Sequence, residues 1–226
     1  METELKLRFA TADDQNSFLE SPWLDHLVMP DSRVETDMLS RYFDTHSQTL
    51  TRMKTSLRIR EEGEQRVATI KLGGKSSNGL HQRLEWSVDL EENDWSRDPA
   101  QGLNADWFGQ NAFSEGDPDE RLQEILQAID GQPLIEICQA KFVRIAFDVG
   151  YGDTLMELAI DLGELSAGNM TDAILELELE LKEGDVRDLM ELGDELKAQF
   201  ALVPEEKSKY SRCLDMLALQ AGLQDA

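Results

Sequence analysis

Charged side chains recur at every second position in several short stretches of this chain, with acids and bases set apart from one another. Arg58 and Arg60 flank Ile59, and Glu176, Glu178 and Glu180 are threaded between Leu175, Leu177, Leu179 and Leu181. The first residues set Glu2, Glu4, Lys6 and Arg8 against Thr3, Leu5, Leu7 and Phe9. A period of two marks a β-strand with unlike faces. For any one such strand the simplest account is a charged face in water. That account is inadequate for the set, because like charges two apart on one strand face repel unless something of opposite sign lies between them. Three glutamates in a row ask for cations, and paired arginines ask for anions. Antiparallel strands curled until these faces converge would make a polar lumen, with the apolar faces outside under amphipathic helices. Carboxylates are hard ligands for Mg²⁺ or Mn²⁺, and Arg and Lys hold phosphates and neutralise charge as a P–O bond breaks. Together they specify a complex of polyphosphate and divalent metal.

The elements that must position these residues follow the same alternation. Thr69 and Lys71 alternate with Ile70 and Leu72, and His81, Arg83 and Glu85 face away from Leu84, Trp86 and Val88. Arg144 stands between Val143 and Ile145, while Glu157 and Asp161 alternate with Met156, Leu158 and Ile160. Helical spacing is expected over 12–27, over 119–129 behind Pro118, over 185–200 and over 205–222. Residues 91–118 are rich in Asp, Asn, Gly and Trp, so 91–130 reads as an irregular and partly helical excursion. No Pro/Gly/Ser linker divides the chain, and one domain over 1–226 is expected, of the α+β class: an antiparallel β-barrel with a charged lumen, flanked by helices.

Composition bounds the partners. Acidic residues number 46 against 22 basic ones in 226, a formal net charge of −24. Such a field repels nucleic acid and anionic membrane surfaces, although basic residues gathered in one cleft can still take a small polyanion. No apolar run approaches the ~20 residues of a membrane span, and METELKLRFA at the start carries charges where a secretory signal needs an apolar stretch. A cytoplasmic protein is expected, with Cys138 and Cys213 as reduced thiols. Gly74-Lys75-Ser76 resembles the end of a phosphate-binding loop, but that motif needs glycine where Thr69 stands. His26 and His46 read as surface residues. His81 shares a face with Arg83 and Glu85, which suits a structural hydrogen bond or a phosphate contact. No HExxH, GxSxG or Cys/His pairing supports zinc protease, serine or cysteine hydrolase chemistry.

An ordered series of motifs resembles the CYTH family, also called triphosphate tunnel metalloenzymes. It opens with Glu2-Thr3-Glu4-Leu5-Lys6, an ExExK signature, and continues through Tyr42-Phe43-Asp44-Thr45, Leu57-Arg58-Ile59-Arg60 and Thr69-Ile70-Lys71. It runs on through Gly79-Leu80-His81-Gln82-Arg83-Leu84-Glu85, Ile160-Asp161-Leu162-Gly163-Glu164 and Leu175-Glu176-Leu177-Glu178-Leu179-Glu180, and closes at Ser208-Lys209 and Arg212. ExExK alone is weak; the ordered series across the chain is specific. The chain looks most like the bacterial inorganic triphosphatase branch, in which a helical CHAD domain often follows and is not expected within these residues. The resemblance implies an eight-stranded antiparallel tunnel, one or two Mg²⁺ or Mn²⁺ ions, and hydrolysis of a triphosphate. By that resemblance Glu2, Glu4, Glu178 and Glu180 would hold metal, with Asp161 and Glu176 as nearby candidates. Lys6, Arg58, Arg60, Lys71, Arg83, Arg144, Lys209 and Arg212 would bind phosphates. Lys6, Arg58 and Arg60 would bear the charge developing in the reaction, with Glu85 orienting a basic partner or a second metal. Some members carry a further Glu where this chain has Ser87, and either Glu176 or Glu180 serves as outer ligand.

Three activities fit this pattern. The first is hydrolysis of inorganic tripolyphosphate to pyrophosphate and phosphate, with thiamine triphosphate as a further substrate. The second is a class IV adenylate cyclase acting on ATP, although no element compels a base pocket. The third is a non-catalytic sensor of polyphosphate or nucleotide, against which the intact Glu2, Glu4, Lys6 and the glutamate strand argue. No oligomeric state follows from the sequence.

Overall fold

A computed structural model describes residues 2–90 and 120–222; the expected excursion over 91–118 lies outside the described residues. Strand β1 (Glu2–Phe9) is followed by helices α1 (Ala12–Leu19) and α2 (Pro22–Leu27), strand β2 (Val34–Thr45), the short α3 (Thr49–Arg52), and β3 (Thr55–Glu62) and β4 (Gln65–Leu72). Then come β5 (Lys75–Ser77), β6 (Leu80–Arg83), β7 (Glu85–Asp89) and α4 (Glu120–Ile129). Three long strands follow, β8 (Leu134–Tyr151), β9 (Thr154–Ala167) and β10 (Met170–Glu183), and the chain continues with α5 (Val186–Gln199), β11 (Leu202–Pro204) and α6 (Lys209–Gln220).

All these strands join one antiparallel sheet in the order β5-β6-β1-β10-β9-β8-β2-β3-β4-β7, with β11 paired to β1. Its two flanks meet through a single run of chain, because β6 pairs with β1 while β7, one residue further on, pairs with β4. Taking β6 and β7 as one interrupted strand and setting aside the short β5 and β11, eight strands go round the curl, the expected number. Charged alternation therefore points inward and apolar alternation outward. Leu5, Leu7, Leu177 and Leu179 are fully buried with Leu189, Leu192 and Leu196 of α5 and Phe18 of α1. A second core joins Leu57, Ile59 and Ile70 to Leu50 of α3 and Leu122, Ile125 and Ile129 of α4. Each fully buried leucine contributes roughly 1.5–3 kcal/mol. A one-residue slip of β10 would exchange its leucines for glutamates under α5, so the register is strongly fixed.

Three expectations are corrected. The stretch 12–27 is two helices, because Ser21 caps α2 with Pro22 in its first turn, and the residue before a proline disfavours helix. The final helix starts at Lys209, since Leu202–Pro204 pair with β1 and Ser208 caps α6 by accepting from the Ser211 N–H. Cys138 and Cys213 are not separate thiols but a disulfide, with Cα atoms 6.2 Å apart despite a sequence separation of 75, because α6 folds back onto β8. Among the described residues no helix is long and apolar enough to cross a membrane.

Candidate active site

Alternation along eight strands delivers the charged side chains to one cavity of about 720 Å³ inside the curl. Its acidic wall comes from β1 and β10, where Glu4 lies opposite Glu180 and Lys6 opposite Glu178 in register. The ladder continues sideways: Glu180 faces Glu157 of β9, and Glu157 faces Asp148 of β8. Four carboxylates on four adjacent strands thus form a row at one level of the cavity. Lys182 is the cation closest to two of them, 3.1 Å from Glu180 and 3.6 Å from Glu157. Burial, together with Glu157 and Glu2, raises the Glu180 pKa above the ordinary range in spite of Lys182. This ledge carries more negative charge than its own side chains balance.

Deeper in, the balance is different. Lys209, at the first turn of α6, donates to Asp161 at 2.7 Å, Glu176 at 2.6 Å and Glu178 at 3.0 Å. Arg144 forks onto Asp161 at 2.7 and 2.8 Å and reaches Glu178 at 2.5 Å. Arg212 donates to Glu176 at 2.6 Å, and Lys6 lies 2.8 Å from Glu178. Burial opposes charge on the lysines and on Arg144, but the surrounding carboxylates outweigh it and hold Lys6, Lys209 and Arg144 above their ordinary pKa values. Glu178 is held well below its own: burial works against its charge, and Lys209, Lys6 and Arg144 overcome it. Asp161, Glu176 and Glu178 present ligand atoms within 4.8 Å of one another, close enough for a metal ion. The Lys209 ammonium occupies that position, so the trio is self-neutralised.

The opposite wall is basic. Arg58 and Arg60 of β3 point into the cavity. Among the described residues Arg58 donates to Thr69, at 3.4 Å, and Arg60 pairs with Glu62. The Nε atoms of both arginines are buried with no hydrogen-bond acceptor among the described residues. Burial, Arg58 and Arg144 push the Arg60 pKa down to about 10 in spite of Glu62, as expected of a cation crowded by other cations in a buried site. Lys71 bridges the walls, donating to Glu2 at 2.8 Å and meeting Glu85 at 2.7 Å. Although burial opposes it, Lys71 brings the Glu85 pKa down to about 2, so Glu85 is ionised and fixes Lys71. Arg83 donates to Glu2 at 2.9 Å and also to Glu4. The third side, from β2, is uncharged: Val34, Thr36, Met38, Ser40 and Tyr42.

Of the residues singled out in the sequence, Glu2, Glu4, Lys6, Arg58, Arg60, Lys71, Arg83, Glu85, Arg144, Glu178, Glu180 and Lys209 line the cavity. Asp161, Glu176 and Arg212 are buried behind it. Further lining residues that the sequence did not mark as site candidates include Glu62, Asp148, Lys182 and Tyr210, and Glu157, which was noted for its alternation alone. Lys182 continues the 176/178/180 alternation by one step, and Glu157 shares the alternation of Asp161, so both carried a signal; Tyr210 owes its place to the docking of α6. His81 stays outside the cavity, with Nε2 2.9 Å from the Glu205 carbonyl. Ser76 of the GKS segment donates to Glu206 at 2.7 Å as part of a hairpin.

The sequence matches the CYTH domain family over residues 1–214. It is 30% identical over 171 residues to an inorganic triphosphatase of Haemophilus influenzae, a match covering 76% of this chain and 43% of that protein. The chain thus spans under half the length of this relative. Among solved structures it resembles a provisionally named adenylyl cyclase from Hippeastrum, reported to have a dominant triphosphatase activity, with a TM-score of 0.64, 17% identity, and coverage of 100% of this chain and 98% of that one. A provisionally named adenylate cyclase from Bacillus halodurans gives 0.51 and 17%, covering 92% of this chain and 97% of that one.

Proposed function

The chain belongs to the CYTH domain family, and from that membership and the charge pattern of its tunnel we propose that it is a divalent-metal-dependent hydrolase of inorganic tripolyphosphate. The observation that carries the proposal is the double imbalance inside one cavity: a ledge of carboxylates around Glu180 with Lys182 as its nearby cation, and facing it the buried Nε–H groups of Arg58 and Arg60, which have no acceptor among the described residues. A ligand that is positive at one side and polyanionic along its length satisfies both, which a simple anion or a simple cation does not. The inorganic triphosphatase relative supports the same substrate class.

Glu2, Glu4 and Glu180 offer hard oxygens at the under-neutralised ledge and fit Mg²⁺ or Mn²⁺. Glu176 and Asp161 fit less well: both are fully buried under Lys209, Arg144 and Arg212 and do not line the cavity, whereas Glu2 and Glu4, although paired with Lys71 and Arg83, do. When bound there, the metal would neutralise phosphate oxygens and acidify a ligand water. Arg58, Arg60 and Lys71 bind the phosphate chain against the opposite wall, while Lys6 and the arginine pair balance the charge that builds as water attacks a terminal phosphorus in line with the departing oxygen. Arg83 orients Glu2 and Glu4, and Glu85 anchors Lys71, so both position groups that touch metal or substrate. The uncharged β2 wall leaves the rest of the cavity open to a leaving group of moderate bulk, which keeps ATP and thiamine triphosphate as substrates to be compared.

The experiment is a turnover panel over tripolyphosphate, ATP and thiamine triphosphate with Mg²⁺ and with Mn²⁺, scoring orthophosphate and cyclic AMP. Preferred release of orthophosphate from tripolyphosphate is expected. Cyclic AMP from ATP would replace the proposal by the cyclase reading, and tight binding of tripolyphosphate without turnover would replace it by the sensor reading.

A further inference from the structure

Helix α6 enters the tunnel as one piece. Ser208, Lys209 and Tyr210 line the cavity, and Arg212 reaches Glu176 from the next turn. Cys213 lies one helical turn beyond Lys209, so the two share a face. Its disulfide partner, Cys138, sits on β8, the strand that carries Arg144 inward to Asp161 and Glu178. The bond therefore joins the two elements whose cations, Lys209 and Arg144, share Asp161 and Glu178. The sulfurs are enclosed: Cys138 is 4% exposed and Cys213 fully buried, packed with Met38, Tyr42, Phe142 and Met216. Two thiols need more room than one disulfide, because non-bonded sulfurs cannot approach to bonding distance, and a close-packed interior has no slack to provide it. The element able to yield is α6, a helix tied to the sheet through side chains such as Lys209 and Arg212, whereas β8 is hydrogen-bonded into the sheet along both edges.

We propose that Cys138 and Cys213 are positioning residues for the tunnel: their disulfide seats α6 so that Lys209 and Arg212 neutralise Asp161, Glu176 and Glu178, and its reduction weakens polyphosphate binding. With Lys209 displaced, Glu178 at the cavity wall, with Asp161 and Glu176 behind it, is left with too few cations and repels the phosphate chain. A dithiol carries out the reduction in two exchanges. One thiolate attacks a protein sulfur to give a mixed disulfide, and the second displaces the protein thiolate. The reductant leaves as its own disulfide, having supplied two electrons and two protons to the cysteines. A reducing cytosol would favour the weaker-binding state and an oxidising one the stronger.

The affinity part rests on the reading of the tunnel as a polyphosphate site; the seating of α6 does not. The protein is equilibrated either in air or with dithiothreitol, and its thiols are counted after denaturation. None are expected in the first state and two in the second. Calorimetric titration of tripolyphosphate without divalent metal, where no turnover is expected, should show about tenfold weaker binding in the reduced state, and with Mn²⁺ KM should rise by that factor while kcat changes less. C138S and C213S proteins, shown folded by circular dichroism, should match the reduced state and ignore dithiothreitol. Two thiols in the air-equilibrated protein, or equal affinity in both states, would overturn the proposal. If tripolyphosphate binds to neither state, the functional reading fails, and hydrogen exchange decides the rest. Protection of residues 209–220 that falls on reduction upholds the seating of α6, and unchanged protection refutes it.

Discussion

The glutamates of β10 share a strand and a face yet have different roles, and burial with its partners tells them apart. Glu176 is fully buried under Lys209 and Arg212, and Glu180 stands on the under-neutralised ledge. Glu176→Gln would strip a buried ionic network of one charge and leave two cations short of a partner. Such losses cost about 3–5 kcal/mol, so thermal unfolding should shift down sharply while the metal concentration for half-maximal activity stays near the parental value. Glu180→Gln should do the reverse: little change in melting, because this half-exposed carboxylate pairs only with Lys182 among the described residues, and at least about tenfold more Mn²⁺ required, since one hard ligand is gone. Equal effects of the two substitutions on metal demand would show that the buried trio holds metal after all. On the basic wall, Arg58→Ala removes a guanidinium with little internal pairing to lose. A charge-assisted hydrogen bond is worth about 1.5–3 kcal/mol, so KM for tripolyphosphate should rise about 10- to 100-fold with the fold intact, as measured by steady-state kinetics and a thermal melt.

At the level of elements, the strands with clean charged/apolar alternation were legible because one physical cause, an apolar face under helices and a charged face in the lumen, writes both the pattern and the fold. Strand β2 was passed over: Val34-Glu35-Thr36-Asp37-Met38-Leu39 mixes both faces, since its inner side forms the uncharged wall and its outer side starts with the exposed Glu35 and Asp37. The break between α1 and α2 was visible in Ser21-Pro22 but was outweighed by helical spacing on either side. The disulfide was not legible, because only the return of α6 onto β8 brings Cys138 and Cys213 together. Likewise, the residues fit to hold cations could be named, but the presence of Lys209 among Asp161, Glu176 and Glu178 depends on where a helix docks. Helix α5 shows how tightly such docking is set. A Cβ at Gly193 would lie 2.1 Å from Cδ2 of Leu5, which is itself fully buried. Gly193→Ala gains about 1 kcal/mol of helix propensity but overpacks a core where added methylenes cost about 1–3 kcal/mol. Chemical denaturation should show net destabilisation of about 1 kcal/mol; a stabilised variant would mean that α5 stands further from β1 than described.

For the molecule as a whole, a net charge of −24 surrounds a cavity one wall of which is short of anions. These two fields act over different distances. The exterior charges are exposed and repel a polyphosphate on approach, over about 30 Å at 10 mM salt but only about 10 Å at 100 mM. Arg58, Arg60 and Lys71 act at contact and from within the cavity, where added salt screens them far less. Raising potassium chloride from 10 to 100 mM at fixed free Mn²⁺ should therefore increase kcat/KM for tripolyphosphate by about two- to fivefold, opposite to the decline expected of an exposed basic phosphate site. Single-stranded DNA, a polyanion too large to enter a cavity of about 720 Å³, should not inhibit at either salt concentration. A monotonic fall of kcat/KM with salt, or inhibition by DNA at low salt, would place the phosphate-binding cations on the outer surface and break the link between the inward alternation of the strands and the chemistry assigned to it.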